Sequence, residues 1–184
     1  MGIFSVIVVL LVIISIVLFN RLIRLKNLMK EAWSGIDVQL KRRHDLIPPI
    51  VDTVKGYVQH ERNVLESLTK LRAQTSGASD VKSQNEIEKG VSGALKNVFA
   101  VAENYPALKA SENFLDLQHS LSDVEDQIQL ARRYYNGTVR NYNVMVESFP
   151  SNLMAGALHF KSADYFEIEY ATERATPDIQ FSNK

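Results

Sequence analysis

The sequence predicts an all-α protein: an antiparallel four-helix bundle of long helices with coiled-coil-like packing, its first helix continuous with an N-terminal transmembrane helix. Three observations predict it. Ile3 to Phe19 is an uncharged apolar run, apolar residues beyond it recur at spacings of three and four, and prolines or small polar clusters separate the periodic stretches.

The apolar run comes first. Ile3, Phe4, Val6, Ile7, Val8, Val9, Leu10, Leu11, Val12, Ile13, Ile14, Ile16, Val17, Leu18 and Phe19 are interrupted only by Ser5 and Ser15, whose hydroxyls can bond back to the preceding turn. As a helix the run covers roughly 26 Å, close to the hydrocarbon thickness of a bilayer. No Lys or Arg precedes it, and the bulky, basic residues after it, FNRLIRLKNLMK, do not resemble a signal-peptide cleavage site, so a retained anchor is expected.

Orientation is read from the cations. Arg21, Arg24, Lys26 and Lys30 follow the run closely, which by the positive-inside rule places the remaining chain in the cytoplasm, single-pass with the N-terminus outside. A periplasmic or extracytoplasmic domain is the alternative. The same four residues form a juxtamembrane basic group suited to anionic headgroups.

Past Phe19 the stripe Leu22, Leu25, Met29, Ala32, Ile36, Leu40 continues with no proline, so the anchor runs into the first bundle helix. Pro48 and Pro49 are expected to interrupt it, since each lacks an amide donor and crowds the preceding turn. A second helix is then predicted along Ile47, Ile50 or Val51, Val54, Val58, Glu61, Leu65, Leu68 and Leu71 or Arg72, ending at the polar loop Thr75–Asp80. A third, from about Ser83 to Asn104, carries Ile87, Val91, Ala94, Leu95, Val98 and Ala102, and Tyr105-Pro106 ends it.

Ser111 is placed to cap a fourth helix. In it Phe114, Leu117, Leu121, Val124, Ile128, Ala131, Tyr135, Thr138, Tyr142, Met145 and Phe149 alternate spacings of three and four, until Pro150 stops the helix. The organisation predicted is an anchor over residues 1–20, a bundle over 21–152, and a C-terminal segment, 153–184, packed on the bundle with a frayed end.

Charge and composition exclude several classes of function. Twenty-one basic residues balance twenty-one acidic ones, so nothing calls for nucleic acid, and the absence of cysteine excludes disulfides, thiolate metal sites and a cysteine nucleophile. A di-iron carboxylate bundle needs two Glu-x-x-His pairs, whereas the chain offers a single Asp116-x-x-His119, with His44, His60 and His159 scattered. Phosphate-binding glycine loops are missing, and His60-Glu61 lacks the second histidine of a zinc protease. Asn136-Gly137-Thr138 matches a glycosylation acceptor by coincidence, inside a heptad-patterned helix. No catalytic, cofactor-binding or metal site is expected, and no small-molecule substrate is identified.

The densest polar cluster, Lys41, Arg42, Arg43, His44 and Asp45, lies just before the prolines. It reads either as a docking surface whose guanidinium groups grip carboxylates, or as a charged helix end favoured by the helix dipole.

Three stretches carry a family likeness. AWSGIDVQLKRRHDLIPPIVDTVKGYVQHE (Ala32–Glu61), ENYPALKASENFLDLQHSLSDVEDQIQLARRYYNGTVRNYNVMVESFPSN (Glu103–Asn152) and Tyr165-Phe166-Glu167 resemble the LemA family of bacterial proteins. The resemblance implies one N-terminal membrane helix followed by a helical bundle, with no established enzymatic activity and no catalytic residues to carry over. Members usually have a polar residue where this chain has Pro49.

The function expected is therefore a non-enzymatic scaffold. Its partners are the lipid bilayer and either further copies of itself or a membrane-associated protein. A lipid-contacting, membrane-shaping or envelope-stress protein is the alternative, and an enzyme of unknown chemistry the remote one.

Overall fold

In a computed structural model, which describes residues 2–58, 61–75 and 80–166, the apolar run and the first bundle helix are one helix, α1 (Gly2–Lys55). Its 54 residues extend ~81 Å at the usual rise. The other elements are α2 (Arg62–Gln74), α3 (Val81–Ala102), α4 (Pro106–Lys109), α5 (Glu112–Glu147) and α6 (Ser151–Ala157), with no strand among the described residues.

The buried contacts give the directions. Along α1, Leu22 packs with Met145, Ala32 and Ile36 with Tyr135 and Val139, and Ile47 joins the cluster that holds Leu121 and Phe114. Positions ascend on α1 as they descend on α5, so the two long helices are antiparallel. Helix α2 runs back beside α1, with Arg72 at His44, and α3 returns beside α2, with Tyr105 at Glu61. The result is the up-down-up-down bundle that the stripes predict.

Each stripe buries as its spacing requires. Leu22, Ala32, Ile36 and Leu40 are interior on α1, Val91, Leu95, Val98 and Ala102 on α3, and Phe114, Leu121, Ile128, Tyr135, Thr138, Tyr142 and Met145 on α5. Fully burying one such Leu, Ile or Val contributes about 1.5–3 kcal/mol, so the continuous seam between α1 and α5 is the main source of cohesion.

Three local expectations are corrected. Pro48 and Pro49 do not interrupt the first helix; they lie inside α1, which ends only at Lys55. The stripe assigned to one second helix is consequently shared between the end of α1 (Ile47, Ile50, Val51, Val54) and α2 (Leu65, Leu68).

The cost of the prolines is contained locally. Pro48 cannot donate to the carbonyl of His44, and the Nε of Arg72 donates to that oxygen instead, at 3.1 Å. Pro49 deprives the carbonyl of Asp45, an exposed residue within reach of water.

The second correction concerns the start of α3, which lies at Val81, two residues before the expected Ser83. Asp80 is extended, and its carboxylate accepts from the Ser83 amide at 2.7 Å. Third, Ser111 occupies the N-cap position of α5 but makes no side-chain cap bond.

After α6 the chain reverses. His159 adopts a left-handed conformation (φ 57°), and the amides of His159 and Phe160 donate to the carbonyls of Gly156 and Ala155. This is the paired closure of a Schellman motif, with a histidine where glycine is usual. Residues 160–166 then run as a strap along α5, ending in buried Phe166. The expected frayed end at 167–184 lies outside the described residues.

Candidate functional site

Three regions concentrate the features that packing alone does not require. The first is the apolar segment of α1. From Ile3, 82 % exposed, to Phe19, 40 % exposed, its large side chains point outward all round the helix, and none of the apolar window is buried within the protein. A helix that is apolar on every face and uncovered by protein fits lipid, which points to a membrane anchor. Leu18 is the first member to touch the bundle, beside Leu22, Met145 and Ala155.

Of the basic residues that follow, Arg21, Arg24 and Lys30 are exposed, and Lys26 places its ammonium 5.3 Å from the Phe160 ring centroid. All four lie on α1, in the stretch that follows the apolar segment.

The second region corrects the docking surface. Lys41, Arg42 and Asp45 are exposed, but Arg43 is 1 % exposed and His44 is half-buried, so the five residues do not form one surface. Arg43 lies on the inner stripe, between Leu40 and Ile47. Its Nη1 meets Glu88 Oε2 at 3.1 Å, its Nη2 meets Glu125 Oε1 at 2.8 Å, and Nη2 also donates to the Ser92 hydroxyl. The other oxygen of Glu88, which is fully buried, faces His44 Nε2 at 2.9 Å and accepts from Gln84 Nε2 at 2.9 Å. These contacts join α1, α3 and α5 in one polar layer through the apolar core, and at its exposed edge Arg72 of α2 bonds the His44 carbonyl.

Such a layer orders the bundle. A buried ion pair adds little net stability, because desolvation offsets its attraction, but it penalises every register in which a partner is lost. The Arg43 guanidinium grips its carboxylates inside the fold and not on a docking surface. Nothing in the sequence pairs Glu88 or Glu125 with Arg43, although Glu88 sits three residues before Val91, on the apolar register of α3.

The third region is the strap. Asn143 donates to the Ala163 carbonyl at 2.9 Å and accepts from its amide at 2.8 Å; Asn136 does the same for Phe166, at 2.7 and 2.8 Å. Seven residues of α-helix and three of extended chain both span ~10 Å, so two asparagines two turns apart match backbone groups three residues apart. Tyr135 adds a bond from its hydroxyl to the Asp164 carbonyl at 3.1 Å. Phe166 closes the groove against Trp33 at 5.8 Å and under the Arg132 guanidinium at 4.5 Å. Asn136 thus serves the strap.

The extent of this architecture coincides with a known family. The LemA family model matches residues 32–181. The chain belongs to the LemA family. It is 30 % identical over 168 residues to Protein LemA of Metamycoplasma hominis, covering 89 % of this chain and 74 % of that one. It is also similar to magnetosome proteins: 33 % identical over 92 residues to MamQ 2 of Paramagnetospirillum magneticum and 32 % over 92 residues to MamQ of Magnetospirillum gryphiswaldense. In both, the match covers 49 % of this chain and 34 % of the relative, so the chain spans about a third of the MamQ length. The LemA match starts at Ala32, within the bundle half of α1, and takes in the polar layer, α5 and the strap.

Proposed function

We propose that this LemA-family protein is a non-enzymatic scaffold, anchored by residues 3–19 in the bacterial inner membrane with its bundle on the cytoplasmic side, where it assembles with further copies or a membrane-associated partner. The observation that carries the reading is the unbroken α1, which passes from the apolar segment into the bundle without a linker. A bundle joined in this way has its height and tilt set by the anchor, and confinement to a surface raises its effective concentration toward neighbours. The positions of Arg21, Arg24, Lys26 and Lys30 support the cytoplasmic placement.

Light scattering on the full chain in detergent tests assembly: a mass above the monomer that rises with concentration is expected, and a monomer at every concentration overturns self-assembly. The lack of cysteine makes topology equally direct. Exposed Lys161→Cys should resist a membrane-impermeant maleimide in intact cells and react after lysis; labelling in intact cells reverses the orientation.

A second reading, membrane shaping through lipid contact, is favoured by the basic group at the anchor exit and by the likeness to magnetosome proteins. Vesicles holding the full chain should deform, and the deformation should vanish when the four cations become Gln. Unchanged deformation overturns its electrostatic form.

A further inference from the structure

The inward stripe of α5 fails at one place. From Phe114 to Met145 its members are buried or half-buried, but Phe149, next in the rhythm, is 78 % exposed. Met145 lies at the level of Leu22 on α1. One turn further along antiparallel α5, about 6 Å, brings Phe149 to the level of Leu18, inside the apolar segment. Leu18 and Phe149 indeed line one groove of about 590 Å³ between the two helices. The apolar surface continues past Pro150 onto α6, where Leu153 is 66 % exposed, and beyond it to Leu158, 48 % exposed.

The same groove holds two cations, Arg21 from α1 and Arg140 from α5, and no carboxylate among the described residues lines it. Neither arginine makes an ion pair among the described residues. A site with apolar walls continuous with a membrane span on one side and guanidinium groups above them matches an anionic phospholipid: phosphate oxygens against the arginines, the first acyl methylenes against Leu18, Met145 and Phe149.

We propose that this groove binds the headgroup end of an anionic phospholipid, and that the α5–α6 corner, through Phe149, Leu153 and Leu158, is seated in the membrane interface beside the anchor. The bundle then meets the bilayer at two places and is held against rotation about α1. This rests on the reading that residues 3–19 cross the bilayer, and the test separates the two.

In the full chain carrying Trp33→Phe, which removes the sole tryptophan, a reporter is introduced by Val9→Trp in the span, Leu153→Trp at the corner, or Leu115→Trp at the far end of the bundle. Each protein is reconstituted into phosphatidylcholine–phosphatidylglycerol vesicles with either lipid brominated on its acyl chains, near the headgroup for the reporters at 153 and 115 and near the chain ends for the reporter at 9, which lies close to the bilayer centre. Quenching of the Val9→Trp and Leu153→Trp variants but not of Leu115→Trp is expected. Quenching at Leu153→Trp should be at least about twofold stronger from brominated phosphatidylglycerol than from brominated phosphatidylcholine, a preference lost in Arg21→Gln/Arg140→Gln while quenching itself persists.

An unquenched Leu153→Trp beside a quenched Val9→Trp overturns the seated corner and leaves the anchor standing. A reporter at 153 shielded from both lipid and aqueous iodide gives the corner to a second copy and overturns it too. An unquenched Val9→Trp overturns the anchor itself, and equal quenching by the two lipids overturns the anionic site.

Discussion

The side chain of Arg72 on α2 hydrogen-bonds the main-chain carbonyl of His44 on α1, the acceptor that Pro48 leaves without its helical donor. The consequence is measurable. Arg72→Ala should destabilise the protein by about 1 kcal/mol in denaturant unfolding, the usual net worth of such a bond. In a Pro48→Ala background the helix supplies its own donor, so the same substitution should cost much less; equal costs in both backgrounds would show that Arg72 does not compensate for the proline.

Arg43 and Glu88 behave as a unit. Glu88→Leu alone leaves Arg43 without its buried partner and should destabilise by about 3–5 kcal/mol, as should Arg43→Met. The double substitution removes both buried charges and should recover most of that loss. Thermal unfolding of the three variants checks this, and additive losses would contradict a shared polar layer.

The strap depends on two amides. Replacing Asn136 or Asn143 by Ala leaves the backbone groups of Phe166 or Ala163 unpaired, at about 1–3 kcal/mol of local stability each. Hydrogen exchange at those two amides should accelerate in the matching variant while the core of α3 stays protected. Slow exchange in both variants would mean that Trp33 and Tyr135 hold the strap by packing alone.

Tyr135 and Asp80 make the strap and the start of α3 sensitive to pH, with opposite signs. Burial, and then the charge of Asp164, push the Tyr135 phenol above its ordinary value of 10.0. Its contribution is therefore complete below pH 10 and is lost as pH rises through the raised value, releasing the strap. Asp80 is shifted the other way, chiefly by the Ser83 amide bond, below its ordinary 3.8. Its cap persists above that value and is lost as pH falls through the lowered one. Absorbance of ionised tyrosine and exchange at the first turn of α3 follow the two transitions; a strap that loosens in acid or a cap that melts in alkali would reverse these signs.

Much of this was legible in the sequence. The apolar segment follows from an uncharged run long enough to cross a bilayer, and the bundle half of α1 and the heptads of α5 from a 3.6-residue period, which burial on one face enforces. The extent of α1 was not, because proline's effect depends on whether its orphaned carbonyl finds a donor, and Arg72 lies 28 residues away. Arg43 was misplaced for the opposite reason. Its position between Leu40 and Ile47 marks it as interior, but its charge argues for the surface until Glu88 and Glu125 are brought from α3 and α5. Asn136 and Asn143, seven residues apart, gave no sign of the strap, since their partners are main-chain groups.

The central claim is that anchor and bundle are one rigid post. With no native cysteine to remove, spin labels at Ile16→Cys and Asp52→Cys in the full chain, reconstituted in bilayer discs, measure it directly by double electron–electron resonance. An uninterrupted helix of 36 residues' separation gives one narrow distance near ~54 Å. A broad distribution, or a markedly shorter one, would place a hinge at the membrane exit or at Pro48-Pro49 and contradict it.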